Sequence, residues 1–91
     1  KNKTSLEVLG LAGNKIGDKG IESLAKALTN NNSLKWLDLE KNQIGENGAR
    51  SLAKALKGRA LKKLFLSGNN IGVCREVMDD LKNPQLAIYC D

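Results

Sequence analysis

One phrase is written three times in this chain. Leu6-Glu7-Val8-Leu9-Gly10-Leu11-Ala12-Gly13-Asn14-Lys15-Ile16-Gly17 returns as Leu34-Lys35-Trp36-Leu37-Asp38-Leu39-Glu40-Lys41-Asn42-Gln43-Ile44-Gly45. It returns again as Leu61-Lys62-Lys63-Leu64-Phe65-Leu66-Ser67-Gly68-Asn69-Asn70-Ile71-Gly72. Asn14 to Asn42 is 28 residues, and Asn42 to Asn69 is 27. Self-similarity at such a period means stacked units, because no single unit can bury its apolar face alone. Function is therefore expected from a repeated surface and not from one active site.

Within each copy the apolar pattern changes period once. Leu9 and Leu11, Leu37 and Leu39, and Leu64 and Leu66 alternate with other residues, which predicts a short strand with one buried face. The asparagine that follows can donate and accept at once, so it can satisfy backbone groups left unpaired in a turn. A ladder of Asn14, Asn42 and Asn69 is expected, since a buried amide without partners costs about 1–3 kcal/mol. A helix comes next. Asp18 is a fair N-cap for the first, followed by Ile21, Leu24, Ala25 and Leu28 at helical spacing. Glu46 or Asn47 opens the second, and Ala49, Leu52, Ala53 and Leu56 repeat the stripe. Glu22, Ser23, Lys26, Arg50, Ser51 and Lys54 take the opposite face.

The third copy departs from the pattern. Cys74, Val77, Met78 and Leu81 come early, and Pro84 interrupts. Gln85-Leu86-Ala87-Ile88-Tyr89-Cys90 then restores a strand-like alternation, read as a closing strand with Leu86 aligned to Leu64, 22 residues on. Glu76, Asp79 and Asp80 fall on the outer side of the short helix, where their spacing predicts a solvated face and not a calcium site. The single domain 1–91 thus divides into repeats at about 5–32, 33–59 and 60–82, with a cap at 83–91. Lys1 stands where Met would, and Asn2-Lys3-Thr4-Ser5-Leu6 is similar to the link at 30–34. The chain is therefore expected to be a fragment of a longer array.

The whole motif, LxxLxLxxNxIGxxGxxxLAxAL, resembles the long-period, ribonuclease-inhibitor-like class of leucine-rich repeats. Asn14-Lys15-Ile16-Gly17-Asp18-Lys19-Gly20 and Leu24-Ala25-Lys26-Ala27-Leu28 are similar to repeats of NOD-like receptors and of bacterial leucine-rich-repeat proteins. The resemblance implies an α/β solenoid, curved, with parallel strands on the concave face and helices on the convex face. It also implies cytoplasmic residence and protein binding without catalysis, as the C-terminal part of a larger receptor or effector. Two other functions fit the same repeat. The Ran GTPase-activating proteins share it, although nothing singles out Lys15, Gln43 or Asn70 as catalytic. A short array with an unpaired first strand could also associate with itself through that N-terminal edge.

Stacking the strands in register would place their outward residues in columns. Val8, Trp36, Lys63 and Gln85 form one; Gly10, Asp38, Phe65 and Ala87 the next; Ala12, Glu40, Ser67 and Tyr89 the third. The only aromatics, Trp36, Phe65 and Tyr89, all fall on this face, stepping one column across with each repeat. Outward aromatics either pack with neighbours on a half-buried sheet or anchor a partner. Taken as anchors, they make Trp36, Phe65, Tyr89, Asp38, Glu40, Lys63 and Val8 the candidate partner-binding residues.

Charge narrows the partner. The formal net charge is +5, but residues 60–91 balance, and the excess is scattered through residues 1–59 among acids. On the strand face Glu7, Asp38 and Glu40 oppose Lys35, Lys41, Lys62 and Lys63. A phosphate-tracking groove needs a consistent positive excess, so the pattern argues for protein and against nucleic acid. No apolar run nears the roughly 18–20 residues that cross a bilayer. With no histidine and two cysteines outside any CxxC, no metal site, cofactor or catalytic residue is expected. A Cys74–Cys90 disulfide stays open, depending on the compartment. Asn2-Lys3-Thr4 and Asn31-Asn32-Ser33 match the glycosylation pattern, which matters only after secretion.

Overall fold

The computed structural model describes residues 6–81 and 83–90. The stretch at 1–5, with its expected link to a preceding repeat and its Asn2 glycosylation pattern, lies outside the described residues. So does Asp91, the last residue of the expected cap. Four strands of three residues each lie in one parallel sheet in chain order: β1 (Val8–Gly10), β2 (Trp36–Asp38), β3 (Lys63–Phe65) and β4 (Ala87–Tyr89). Helix α1 (Gly17–Leu28) joins the first pair and α2 (Glu46–Leu56) the second. The third connection holds one α-turn, α3 (Cys74–Val77), continued by a 3₁₀ turn over Met78–Leu81.

Every inward leucine goes where the alternation sends it. Leu37, Leu39 and Leu64 are fully buried and share one core with Ile44, Leu52 and Ala53 from the turn and helix. A buried aliphatic side chain of this size contributes about 1.5–3 kcal/mol, so the second repeat alone supplies a large part of the stability. Ala49 and Ala53 are also fully buried, and such small side chains let α2 lie close to its neighbours. The early apolar residues of the third copy (Cys74, Val77, Met78 and Leu81) are buried as well, while Glu76, Asp79 and Asp80 are exposed.

The asparagine ladder is present and has a direction. Asn42 Oδ1 accepts the backbone N–H groups of Asn14 (2.8 Å) and Ile16 (3.3 Å). Its Nδ2 donates to the carbonyls of Leu11 (2.8 Å) and Glu40 (3.1 Å). Asn69 does the same for Asn42 N–H (2.8 Å), Ile44 N–H (3.0 Å) and the Leu39 (3.0 Å) and Leu66 (2.9 Å) carbonyls. The residue just before each ladder asparagine takes a left-handed backbone: Gly13 at φ 74°, Lys41 at φ 56° and Gly68 at φ 79°. Glycine suits two of these turns without cost, and Lys41 holds the third against the usual steric penalty.

Two expectations are corrected. Asp18 does not cap α1: it lies inside the helix, whose N-cap is Ile16 with no side-chain cap bond. Its Oδ1 instead accepts the N–H of Gly45 at 2.6 Å, tying the first turn to the second. Gly48 is buried beside it, and a Cβ there would come within 2.5 Å of the same oxygen. The second correction is the register of β4. Leu64 pairs with Ile88 and Phe65 with Tyr89, so Lys63 faces Ala87 and not Gln85. The strand is displaced by two residues from the Leu86 alignment. A two-residue slip leaves every side chain on the same sheet face, so alternation alone could not exclude it. The outcome puts Cys90 one place beyond β4, within bonding reach of Cys74. The two form a disulfide with Cα atoms 6.4 Å apart.

Candidate functional site

On the face away from the helices, the strands bring their outward side chains into rows. One row runs Val8, Trp36, Lys63, Ala87, and the next Gly10, Asp38, Phe65, Tyr89. The corrected register changes the aromatic pattern. Tyr89 stands beside Phe65 in the same row, where the sequence reading had set it one column further across. The two rings stack nearly parallel, 9° apart with centroids at 4.9 Å. Trp36 leans on Phe65 from the neighbouring row at 5.9 Å and 49°. Three rings therefore make one continuous patch across three strands, and each ring pair contributes about 0.5–1.5 kcal/mol beyond its buried area. Trp36 and Tyr89 are each 44% exposed even so, and Phe65 between them is half-buried. The rings pack against each other and still present area to solvent.

The other candidate residues sit around this patch. Lys63 extends its Nζ over the Trp36 ring, 4.8 Å from the centroid, so that ring already carries a cation. Val8 is 61% exposed beside Trp36 at the open side of β1. Asp38 and Glu40 follow Trp36 on the same segment and are half-buried. Asp38 Oδ1 accepts the N–H of Glu40 at 3.1 Å, which fixes the direction of that carboxylate. Among the described residues the ion pair seen is Arg50–Glu46, on α2, so neither Asp38 nor Glu40 is paired with a lysine there. Lys41 and Lys62 lie exposed at the rim, with Lys35 half-buried.

Small residues flank the charged and aromatic side chains, two where the repeat predicts them and one through the corrected register. Gly10 beside Asp38 and Ala12 beside Glu40 leave the β1 side of these two acids almost bare, and a Cβ at Gly10 would meet nothing within 4 Å. Ala87, brought into the first row in place of Gln85, gives the far side of Lys63 a small neighbour. The placement of Ala87 goes with the cysteines: in this register Cys90 ends one residue beyond β4 and is bonded to Cys74. A cleft of about 410 Å³ opens next to that disulfide, lined by Met78, Leu81, Leu86 and Ile88 among others. These are core-side residues, so the cleft lies behind the sheet and not at the aromatic patch. No group of His, Cys, Asp and Glu among the described residues is arranged to hold a metal ion. No helix among them is long and apolar enough to cross a membrane.

A family model described as a leucine-rich repeat matches residues 2–25 and 30–53, together just over half of the chain. The two matches coincide with the first two copies of the motif, where strand, asparagine turn and full-length helix are all present. No curated protein matches the chain.

Proposed function

Because the chain belongs to the leucine-rich repeat family, whose members are generally protein-interaction modules without catalysis, we propose that it binds another protein through its strand face. Repeats of 28 and 27 residues with full helices behind the sheet support assigning the array to the long-period, ribonuclease-inhibitor-like class. In that class the strand face is the concave side of a curved solenoid. The chain is then one part of a longer array in a cytoplasmic receptor or effector of the NOD-like kind. The single observation that carries the binding assignment is the exposed, self-supporting patch of Trp36, Phe65 and Tyr89. Aromatic residues grouped at the middle of a surface are the usual anchors of an interface.

Cytoplasmic residence stands in tension with the Cys74–Cys90 disulfide, since reducing compartments keep most thiols free. Alkylation of intact cells before lysis reads the state of the two sulfurs directly, and a bridged pair there places the protein in an oxidising compartment.

The binding assignment is tested at Trp36. A photo-crosslinking residue at position 63 should capture a partner that the same residue at position 54, on α2, does not. Trp36→Ala should then weaken that partner's affinity by about 2 kcal/mol, roughly thirtyfold, with the melting transition within a few degrees of the parent. A variant that melts out, yet binds normally in whatever fraction stays folded, would make the rings packing residues and nothing more.

A further inference from the structure

The disulfide and the ring patch meet at consecutive residues. Cys90 turns inward to Cys74, and Tyr89, the residue before it, turns outward onto Phe65. We propose that the Cys74–Cys90 pair is a thiol–disulfide switch for the strand face, a reading that rests on the binding assignment above. Bridged, the pair holds Tyr89 on Phe65 and completes the three-ring patch. As two thiols, it releases β4 and withdraws Tyr89 from the patch.

Apart from the bridge, β4 is lightly held. Among the described residues it pairs on one side only, with β3. None of its three residues is buried: Ala87 and Ile88 are half-buried and Tyr89 is exposed. By contrast, β2 and β3 each centre on a fully buried leucine, Leu37 and Leu64. The segment leading into β4, Asn83-Pro84-Gln85, is exposed as well. One-sided pairing and few buried apolar contacts mark a segment that opens locally while the rest stays folded. A closure of 16 residues favours the docked strand by roughly thirtyfold. Acting on so light a hold, that factor decides whether most molecules have the strand docked or open. Cys74, at the other end of the bridge, is set in the core with Val77, Met78 and Leu81, so β4 is the partner that moves.

The sulfurs can also be reached. The cleft of about 410 Å³ is lined by both cysteines, with Arg75, Asp79 and Asn83 as its polar side chains. Cys74 is buried and Cys90 half-buried, so Cys90 is the sulfur that an incoming thiolate meets first. A glutathione-class thiolate attacks Cys90 Sγ, the S–S bond breaks, and Cys74 leaves as a thiolate that takes up a proton. A second glutathione thiolate attacks the glutathione sulfur of the mixed disulfide and releases Cys90, which is protonated in turn. Two glutathione thiols become one glutathione disulfide, and the protein gains two electrons and two protons. Closure runs the same steps backwards, with glutathione disulfide as the oxidant. The chain has no third cysteine to divert the exchange. In the cytoplasmic setting proposed above, the pair rests as thiols, the patch lacks Tyr89, and an oxidising episode completes it.

The chain has one tyrosine, so the Tyr89 ring signals identify themselves in an NMR spectrum of the full chain. In the bridged chain the stacked Phe65 ring should displace them. Reduction with millimolar glutathione should return them to the positions of an unstructured tyrosine while the amides of β1 to β3 stay in place. Tyr89 signals unchanged by reduction, or a bridge that millimolar glutathione does not open, would make the bond a permanent staple and overturn the proposal. Binding is read with a peptide selected from a cysteine-free random display library on the bridged chain, with Trp36→Ala as the counter-selection. Reduction should weaken that peptide about tenfold, and Tyr89→Ala should weaken it as much. Glutathione should then change nothing further in the Tyr89→Ala chain, nor in a chain carrying Cys74→Ser with Cys90→Ser. A glutathione effect that persists in either variant would arise away from Tyr89 and the sulfur pair, and would overturn the switch. Full affinity in the reduced chain would also overturn it, and would leave the binding assignment standing. If no selected peptide depends on Trp36, both readings fall.

Discussion

The first and second repeats are written in nearly the same words, yet their strands and turns differ in depth of burial. Ile21, Ala25 and Leu28 of the first helix are buried just as Ala49, Ala53 and Leu56 of the second are. Leu37, Leu39, Ile44 and Leu52 are fully buried, while their counterparts Leu9, Leu11, Ile16 and Leu24 are only partly so. Asn42 is fully buried with four hydrogen bonds, and Asn14 is exposed, its amide nitrogen reaching only the nearby Leu11 and Ala12 carbonyls. The cause is position. The second repeat has a neighbour on each side, and the first has one among the described residues. In a stacked architecture the energy of a residue is set by the interfaces on either side of its unit as much as by the residue itself.

Three measurements can break or sharpen that contrast. The largest effect is expected from truncating the inward leucine of the strand. Leu37→Ala should destabilise by about 3–4 kcal/mol, against about 1–2 for Leu9→Ala, in denaturant titrations. Equal losses at the two sites would mean that burial in the first repeat is effectively complete, and the contrast would fall. Next comes the ladder. Asn42→Ala strands two N–H groups and two carbonyls and should cost about 3 kcal/mol, whereas Asn14→Ala should cost under about 1. The smallest effect tests the opposite end of the sheet. Replacing Cys74 and Cys90 together by serine opens a 16-residue closure and should cost about 2 kcal/mol. Hydrogen exchange should then show β4 amides opening early and β1 and β2 unchanged, making the last strand behave as the first repeat does. Unchanged protection in β4 would show that strand pairing with β3, and not the sulfur bridge, holds it in place.

How much of this could be read from residues alone depends on what kind of information each feature needs. Strands and helices of the first two copies follow from two local periods, 2 and 3.6, and three copies reinforce one another. The asparagine ladder was legible for the same reason: three equivalent amides in equivalent turns need equivalent partners. Asp18 was misread because its sequence context is that of a cap, while its actual partner, the Gly45 N–H, lies in the next repeat. The register of β4 was misread because Leu86 and Ile88 share a parity, so the pattern offered two alignments and no local rule to choose between them. Of the site, the face and the aromatic residues on it were legible. The stacking of Tyr89 on Phe65 was not, since it depends on that register. The gap at Gly10 beside Asp38 was legible, because β1 and β2 pair in the register that the repeat predicts.

The direction of the ladder has a practical result for anyone scanning this chain by substitution. Three of the four hydrogen bonds of Asn69 go to groups of the repeat before it: the Asn42 and Ile44 N–H groups and the Leu39 carbonyl. A lesion at Asn69 will thus be felt most in the loop at 42–44, some two dozen residues earlier in the chain. Effects tabulated against the mutated position will look one unit out of phase, and sorting them by the backbone each amide serves will bring them back into step.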